Sequence, residues 1–147
     1  MATVSTTLVA AQLRLAITRT SRRLRQEAGV GLSPSQGAAL ASIERHGPLT
    51  PSEVASIERI QRPTATRLLA KLEAAGLVAR HADPVDRRSS LVSVSVAGSA
   101  LLAESRAHKD AFLAQRLRAL DAEDRATLAR AAELLEGLLA LQDGERR

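Results

Sequence analysis

The sequence of 147 residues has no cysteine, tryptophan or tyrosine and a single phenylalanine, Phe112. Without cysteine, the chain can form no disulfide bond, no thiolate metal site and no thiol redox sensor. Because aromatic side chains are almost absent, the 45% of hydrophobic residues consists mainly of Leu, Ala, Val and Ile. Ala and Leu are strong helix formers, so the composition predicts a mainly helical protein.

Long hydrophobic runs are also missing. No apolar stretch approaches the ~20 residues that a bilayer-spanning helix needs. A secretory signal has basic side chains before its apolar part, and residues 1–11 have none there. We therefore expect a cytoplasmic protein with no membrane partner.

Lysine is scarce as well, since only Lys71 and Lys109 are present. The formal net charge of +5 therefore rests on arginine. Its sign suits a polyanionic partner, and arginine forms bidentate contacts with phosphate and guanine. A GC-rich genome would produce the same arginine bias, so charge alone does not decide the function.

The first segment, residues 5–27, contains neither proline nor glycine and has apolar residues at helical spacing. This pattern predicts one long helix that ends at Gly29 and Gly31. Its two offset apolar stripes indicate that it is covered on more than one side.

Three short helices follow, each with proline at its start. Ser33 and Thr50 precede Pro34 and Pro51, and each can cap a helix, with Gln36 or Glu53 reaching back to the cap. These helices should end near His46 and Ile57. The third helix should begin at Pro63 and end at Gly76, with three residues facing inward: Leu68, Leu69 and Leu72.

The periodicity then changes to that of a hairpin. Residues 77–80 and 91–96 are strand candidates, and the second alternates apolar and polar residues. Residues 81–90, rich in Pro, Asp and Ser, should form the loop. Ser95 can then cap a long helix to about Ala119, and Asp121 can cap the last one. Residues 143–147 are expected to fray.

The predicted fold class is mainly α with a small β-hairpin, a winged helix-turn-helix flanked by long dimerisation helices. The first and last helices carry more apolar surface than a small winged domain can cover, which favours pairing with a second copy. The expected division therefore has an N-terminal dimerisation helix at 1–31, a winged DNA-binding domain at 32–96 and C-terminal dimerisation helices at 97–147. In such a domain, one helix enters the major groove of DNA and the hairpin reaches a flanking groove or the backbone.

The helix that begins at Pro63 is the candidate recognition helix. Thr64, Arg67 and Lys71 share the face opposite its leucines, and that face has no acid. Its N-terminal turn attracts phosphate, and three residues lie at that end, where base edges are usually contacted: Gln61, Arg62 and Thr66. The alternative is an amphipathic helix with a solvated basic face.

The hairpin loop adds Arg87 and Arg88 close to its tip. Two clustered cations on an exposed loop favour an anionic partner, and Asp86 offers a local group that could orient one of them. Together with the recognition helix, the loop predicts contact with double-stranded DNA.

Four segments together resemble the signature of the MarR family of regulators: LTPSEVA (49–55), RPTATRLL (62–69), LEAAGLVAR (72–80) and DPVDRR (83–88). The resemblance implies a triangular homodimer with two winged domains on a pseudo-palindromic operator. It also implies that Arg88 enters the minor groove while Asp86 braces the loop. Gln61 departs from the family, which often has Ser there, and it could instead read adenine.

The resemblance further implies a small effector, often aromatic and anionic, held between the dimer region and the winged domain. No residue identifies that ligand. Several cations of the first helix could face such a pocket, although a solvated or salt-bridged face is the alternative: Arg14, Arg19, Arg22 and Arg23.

The predicted function is therefore a sequence-specific DNA-binding transcriptional regulator, a repressor released by such a ligand. A winged-helix module that binds protein instead of DNA is the alternative. An enzyme is not expected, because no phosphate loop or Gly-x-Ser-x-Gly elbow occurs and His46, His81 and His108 lack metal-ligand spacing. His81 near Asp83 and Asp86 could hold a metal, but a solvated histidine is the preferred interpretation. No cofactor is predicted.

Overall fold

The computed structural model describes residues 5–144, with side-chain surroundings up to residue 140. It confirms the fold class, since helices dominate and the described residues contain one two-stranded antiparallel sheet. The elements in chain order are α1 (Thr6–Glu27), α2 (Pro34–His46), α3 (Pro51–Glu58), α4 (Arg62–Ala74), β1 (Val78–Ala82), β2 (Ser90–Val94), α5 (Val96–Leu117) and α6 (Ala122–Gly144). The expected fraying falls mostly on residues 145–147, which lie outside the described part.

The chain divides into two compact units, residues 1–109 and 110–147. The first unit contains the four N-terminal helices, the hairpin and most of α5. The second contains the end of α5 and the whole of α6. The division into dimerisation and DNA-binding regions concerns function rather than compactness, and it stays a prediction.

The two short helices after α1 begin with the capping boxes that their sequences predict. In α2 the hydroxyl of Ser33 accepts a hydrogen bond from the N–H of Gln36 at 3.2 Å, and the N–H of Ser33 donates to Gln36 Oε1 at 2.9 Å. Thr50 and Glu53 make the same pair of contacts in α3, at 3.2 and 2.7 Å. These reciprocal bonds satisfy amides that would otherwise lack partners, so each helix has a defined start.

The end of α4 directs the chain into the hairpin. Gly76 has a φ of +71°, a left-handed conformation that glycine adopts without steric cost. The N–H of Leu77 then reaches back to the carbonyl of Leu72 at 2.9 Å. This closes a Schellman-type turn, which buries Leu77 and starts β1 one residue later.

The hairpin strands are displaced from their expected bounds. The first strand extends to Ala82, so the loop is shorter than the expected 81–90, and the second strand stops at Val94. Val96, expected at the end of the alternating strand, is 90% exposed because Ser95 caps α5 through the N–H of Gly98 at 3.0 Å. Leu49 also pairs with Val92 through two backbone hydrogen bonds of 3.0 and 2.7 Å, which the sequence did not predict.

The core of the first unit is aliphatic. Its largest fully buried side chains come from α2, α3, α4 and β2: Leu40, Ile43, Val54, Leu69, Leu72 and Val92. Leu68, expected to face inward, is only half-buried and packs at the edge of this cluster. Leu102 of α5 joins the core. Gly98 is buried beside the turn before β1, and a Cβ there would meet the carbonyl oxygen of Leu77 at 2.1 Å.

Candidate DNA-binding surface

One side of α4 is exposed and basic, as its sequence predicts. Thr64, Arg67 and Lys71 are exposed, while Ala65 and Leu69 on the other side are fully buried. Among the side chains of residues 5–140, neither Arg67 nor Lys71 takes part in an ion pair. The Nε of Arg67 donates to the carbonyl of Pro63 at 3.4 Å, so its terminal N–H groups and the ammonium of Lys71 are the donors open to an anionic partner.

The first turn of α4 is also open to solvent. Gln61 is the N-cap residue, but its side chain makes no capping hydrogen bond, so its amide is available to another partner. Arg62 is exposed. The hydroxyl of Thr66 donates to the carbonyl of Arg62 at 3.0 Å, so it is left as a hydrogen-bond acceptor while that bond lasts.

The hairpin loop, the wing (residues 83–89), is held by hydrogen bonds within itself. Asp83 accepts from the N–H of Val85 at 2.9 Å, and Asp86 accepts from the N–H of Arg88 at 3.0 Å. The N–H of Ser89 closes the turn onto the carbonyl of Asp86 at 2.9 Å. Asp86 thus contacts the backbone of Arg88, and within the described residues no ion pair joins either wing arginine to an acid.

A cleft of about 560 Å³ lies between the starts of α3 and α4 and the base of the wing. It brings together Arg62, Thr66, Asp86 and Arg88, which the sequence places in two separate segments. The other expected contact residues do not line this cleft: Gln61, Thr64, Arg67, Lys71 and Arg87. The predicted surface therefore has two parts, the open face of α4 and the cleft beside the wing.

The rest of the cleft lining was not among the predicted site residues: Pro51, Ser52, Arg80, Ser89 and Ser90. Arg80 lies on β1, where its Nε donates to Glu73 Oε2 at 3.3 Å and its Nη1 donates to Ser90 Oγ at 3.0 Å. Arg80 could have been proposed from the sequence, because it is a basic residue on the strand that leads into the wing. The spacing of residues gave no indication that it faces the start of α4.

A polar cluster connects α2 with the first half of α5. Glu44 accepts hydrogen bonds from Ser99, at 2.9 Å, and from the guanidinium of Arg106. The Arg106 hydrogen bond, and then that from Ser99, lower the pKa of the Glu44 carboxyl below its ordinary value. Glu44 is therefore a carboxylate at neutral pH, and it links α2 to α5.

A second cavity, of about 630 Å³, is bordered by the end of α1, the start of α2 and part of α5. Three cations, Arg25, Arg106 and Lys109, and one acid, Glu58, line it. Part of the remaining lining is aliphatic: Val30, Leu32, Ile60, Leu68 and Leu102. The four arginines of α1 that the sequence offered for such a pocket do not line it. One of them, Arg23, pairs with Glu27 at 2.6 Å.

Two of the three histidines, His81 and His108, have ordinary structural contacts. His81 hydrogen-bonds with the hydroxyl of Ser93 on the facing strand. The Nδ1 of His108 lies 2.9 Å from the carbonyl oxygen of Ala28, a contact that requires the proton on Nδ1. Among the described side chains, residues 5–140, no group of three or more His, Asp or Glu is placed to hold a metal ion.

The arrangement of these elements matches known regulators. The family model named MarR family matches residues 32–90. An uncharacterized HTH-type transcriptional regulator of Mycobacterium bovis is 38% identical over 132 residues, which cover 89% of this chain and 92% of the relative. This chain belongs to the MarR family. It is accordingly a DNA-binding transcriptional regulator and not an enzyme.

Two further comparisons extend the match. A solved structure from Pseudomonas aeruginosa, named for a transcriptional regulator, has a TM-score of 0.81 and 40% identity, covering 90% of this MarR-family chain and 94% of its own. The HTH-type transcriptional repressor MdtR of Bacillus subtilis is 37% identical over 112 residues, 70% of this chain and 71% of the relative. No helix within the described residues is long and apolar enough to cross a membrane.

Proposed function

We propose that this MarR-family regulator is a homodimeric repressor that binds a pseudo-palindromic operator and is released by a small aromatic anion. The observation that carries the proposal is the pairing of the basic face of α4 with the arginine-bearing wing. A protein-binding winged helix would not need exposed, unpaired cations on both elements. The repressor role follows the relative MdtR, which is named a transcriptional repressor.

In the proposed complex, α4 enters the major groove and the wing reaches the adjacent minor groove. Arg67 and Gln61 are proposed to contact base edges, with Arg62, Thr64 and Thr66 around them. Lys71 and Arg87 are proposed to bind backbone phosphates. Arg88 is proposed to enter the minor groove, with the wing shape set by the contact between Asp86 and its backbone N–H.

Dimerisation is proposed to occur through the two ends of the chain. Neither α1 nor the described side chains of α6 include a buried residue, although both helices are rich in leucine. Exposed apolar side chains occur on both helices: Leu8, Leu15, Ile17, Leu128, Leu134, Leu138 and Leu139. Burying so many apolar groups against a second copy would stabilise the pair through the hydrophobic effect.

The ligand is proposed to bind in the 630 Å³ cavity beside α1, α2 and α5. That volume suits a small molecule, and the aliphatic lining suits an aromatic ring. Arg25, Arg106 and Lys109 would bind its carboxylate. The cavity adjoins the Glu44–Arg106 ion pair that links α2 to α5, so a bound anion would compete for Arg106.

The operator is tested by selecting binding sequences from random DNA and by footprinting the region upstream of the protein's own gene. We expect a two-fold symmetric footprint whose half-sites are one or more helical turns apart. Binding of random DNA with the same affinity, at a fixed salt concentration, would contradict sequence-specific regulation.

The ligand is tested by adding benzoate, with benzamide as the uncharged control, to the protein–operator complex. Benzoate should dissociate the complex at concentrations where benzamide does not. Lys109→Gln should weaken the benzoate effect, whereas Arg22→Gln, on α1 outside the cavity, should leave it unchanged. Equal effects of the two compounds would exclude the proposed anion site.

A further inference from the structure

The cleft between α4 and the wing contains more positive charge than its own acids neutralise. Three guanidinium groups line it, those of Arg62, Arg80 and Arg88. Against them stand the carboxylate of Asp86 in the lining and that of Glu73, which pairs with Arg80. The Asp86 carboxylate already accepts the N–H of Arg88. Hydroxyl groups complete the lining, from Ser52, Thr66, Ser89 and Ser90. Guanidinium and hydroxyl groups are the donors that bind phosphate oxygens.

The position of the cleft matters because the wing and α4 are proposed to enter neighbouring grooves. Adjacent major and minor grooves are separated by one sugar–phosphate strand. If α4 lies in one groove and Arg88 in the next, that strand must pass between them. The cleft is the space that the structure leaves between these two elements.

Arg80 differs from the other cations of the cleft because protein contacts hold it in place. Its Nε and Nη1 bind Glu73 of α4 and Ser90 of β2, and its side chain remains 31% exposed. A guanidinium has five N–H groups, so three remain for another acceptor. A cation tied to both α4 and β2 has little conformational entropy left to lose on binding.

We propose that Arg80, together with Ser52 in the lining of the same cleft, forms a binding site for one DNA backbone phosphate between the major-groove and minor-groove contacts. This phosphate-binding site fixes the position of α4 and the wing along the DNA without contacting a base. This inference rests on the proposed DNA complex and adds to it a contact from the strand that precedes the wing.

The test compares the parent protein with Arg80→Gln, Arg80→Lys and Glu73→Gln on the selected operator and on random DNA. Arg80→Gln should weaken binding to both DNAs by a similar factor and reduce the salt slope by about one ion per bound subunit. Base preferences should not change. Arg80→Lys should keep the salt slope and lose part of the affinity.

Glu73→Gln separates phosphate binding from a purely structural role. It breaks the Glu73–Arg80 ion pair but leaves the Arg80 charge, so DNA binding should be retained or improved. If Arg80 only ties α4 to β1, Glu73→Gln should weaken DNA binding as Arg80→Gln does, and the proposal is overturned. Arg45→Gln, which removes an exposed charge of α2 outside the cleft, is the matched control and should leave DNA binding close to that of the parent.

Neutral methylphosphonates introduced one at a time along the operator identify the phosphate. One position in each half-site should weaken the parent and leave Arg80→Gln unaffected. If every methylphosphonate weakens both proteins equally, Arg80 binds no phosphate. If the parent protein binds the operator no better than random DNA, that result contradicts the proposed function rather than the phosphate-binding site.

Inorganic phosphate, titrated at constant ionic strength, distinguishes a DNA phosphate from a free anion. It should displace DNA from the parent and from Arg80→Gln to the same small extent. Selective displacement from the parent at millimolar phosphate would make the cleft a free-anion site and overturn the assignment to DNA.

Discussion

Asp86 accepts a hydrogen bond from the backbone N–H of Arg88 at 3.0 Å, and it is this contact, rather than an ion pair, that joins the two residues. The carboxylate therefore shapes the turn from which the Arg88 side chain projects. Within the described residues the guanidinium of Arg88 forms no ion pair, so it is available to an anionic partner.

The first prediction concerns this pair. Arg88→Ala should lower operator affinity and reduce any preference for A·T pairs at the flanks, because a narrow A·T-rich minor groove attracts arginine. Asp86→Ala should cost less, and it should cost almost nothing in the Arg88→Ala background. Operator titrations of both single variants and the double variant at one salt concentration measure this. Strictly additive losses would show that Asp86 does not act through Arg88.

The second prediction separates two cations of α4. Arg67→Ala should reduce discrimination by ~1–3 kcal/mol at one position of each half-site if Arg67 reads a base. Lys71→Ala should weaken all sequences about equally and lower the salt slope by about one ion per site. Titration of operator variants at several salt concentrations distinguishes the two. Unchanged binding by both variants would mean that α4 is not the recognition helix.

The third prediction tests the dimer. Leu139→Asp should yield a folded monomer, because Leu139 is 67% exposed in the single chain and a buried charge would oppose association. Val96→Asp is the control, since Val96 is 90% exposed at the start of α5, where an acid is favourable. Light scattering with circular dichroism gives mass and folding together. A parent that is monomeric, or a Leu139→Asp variant as dimeric as the parent, would refute pairing through α6.

The fourth prediction is that replacing two glycines by alanine has opposite effects on the stability of the fold. Gly98→Ala should destabilise the protein by about 1–3 kcal/mol or more, because its Cβ would meet the Leu77 carbonyl oxygen at 2.1 Å. Gly37→Ala within α2 should stabilise by about 0.5–1 kcal/mol, because nothing lies within 4 Å of the added Cβ. Urea unfolding measures both. Equal effects of the two substitutions would argue against the close approach of α5 to the turn before β1.

The last prediction concerns acid stability. Because folding lowers the pKa of Glu44, the unfolded chain binds that proton more readily. The charged Glu44 carboxylate stabilises the folded protein at pH values above its ordinary pKa of about 4.5. This stabilisation is lost as the pH falls through the lower pKa of Glu44 in the folded state. Glu44→Gln should therefore flatten the loss of stability below this pH, and Arg106→Gln should do so in part. Thermal unfolding from pH 6 to pH 3, a window of about three units around that pKa, measures it; a Glu44→Gln curve parallel to the parent's would contradict it.

The sequence by itself determined the features that depend on neighbouring residues. The Ser33 and Thr50 capping boxes, the left-handed Gly76 and the one-sided burial of α4 follow from local hydrogen bonding, backbone freedom and helical periodicity. The MarR-family assignment could also be made from the sequence, because its signature lies in four such segments. Neither the strand ends nor the Leu49–Val92 pairing could be predicted, because strand pairing is decided by the packing of distant segments.

Only the tertiary structure decided which cations share a surface. Arg62, Arg80 and Arg88 come from a helix, a strand and a loop, and they line one cleft because the Gly76 turn folds β1 back beside α4. Likewise, Arg25 and Lys109 are far apart in sequence, yet they border one cavity. Hydrophobic periodicity reports which face of an element is buried, but it carries no information about which other element covers that face. Which element covers α4 is decided by the core around Leu69 and Leu72, which packs α4 against the rest of the winged domain.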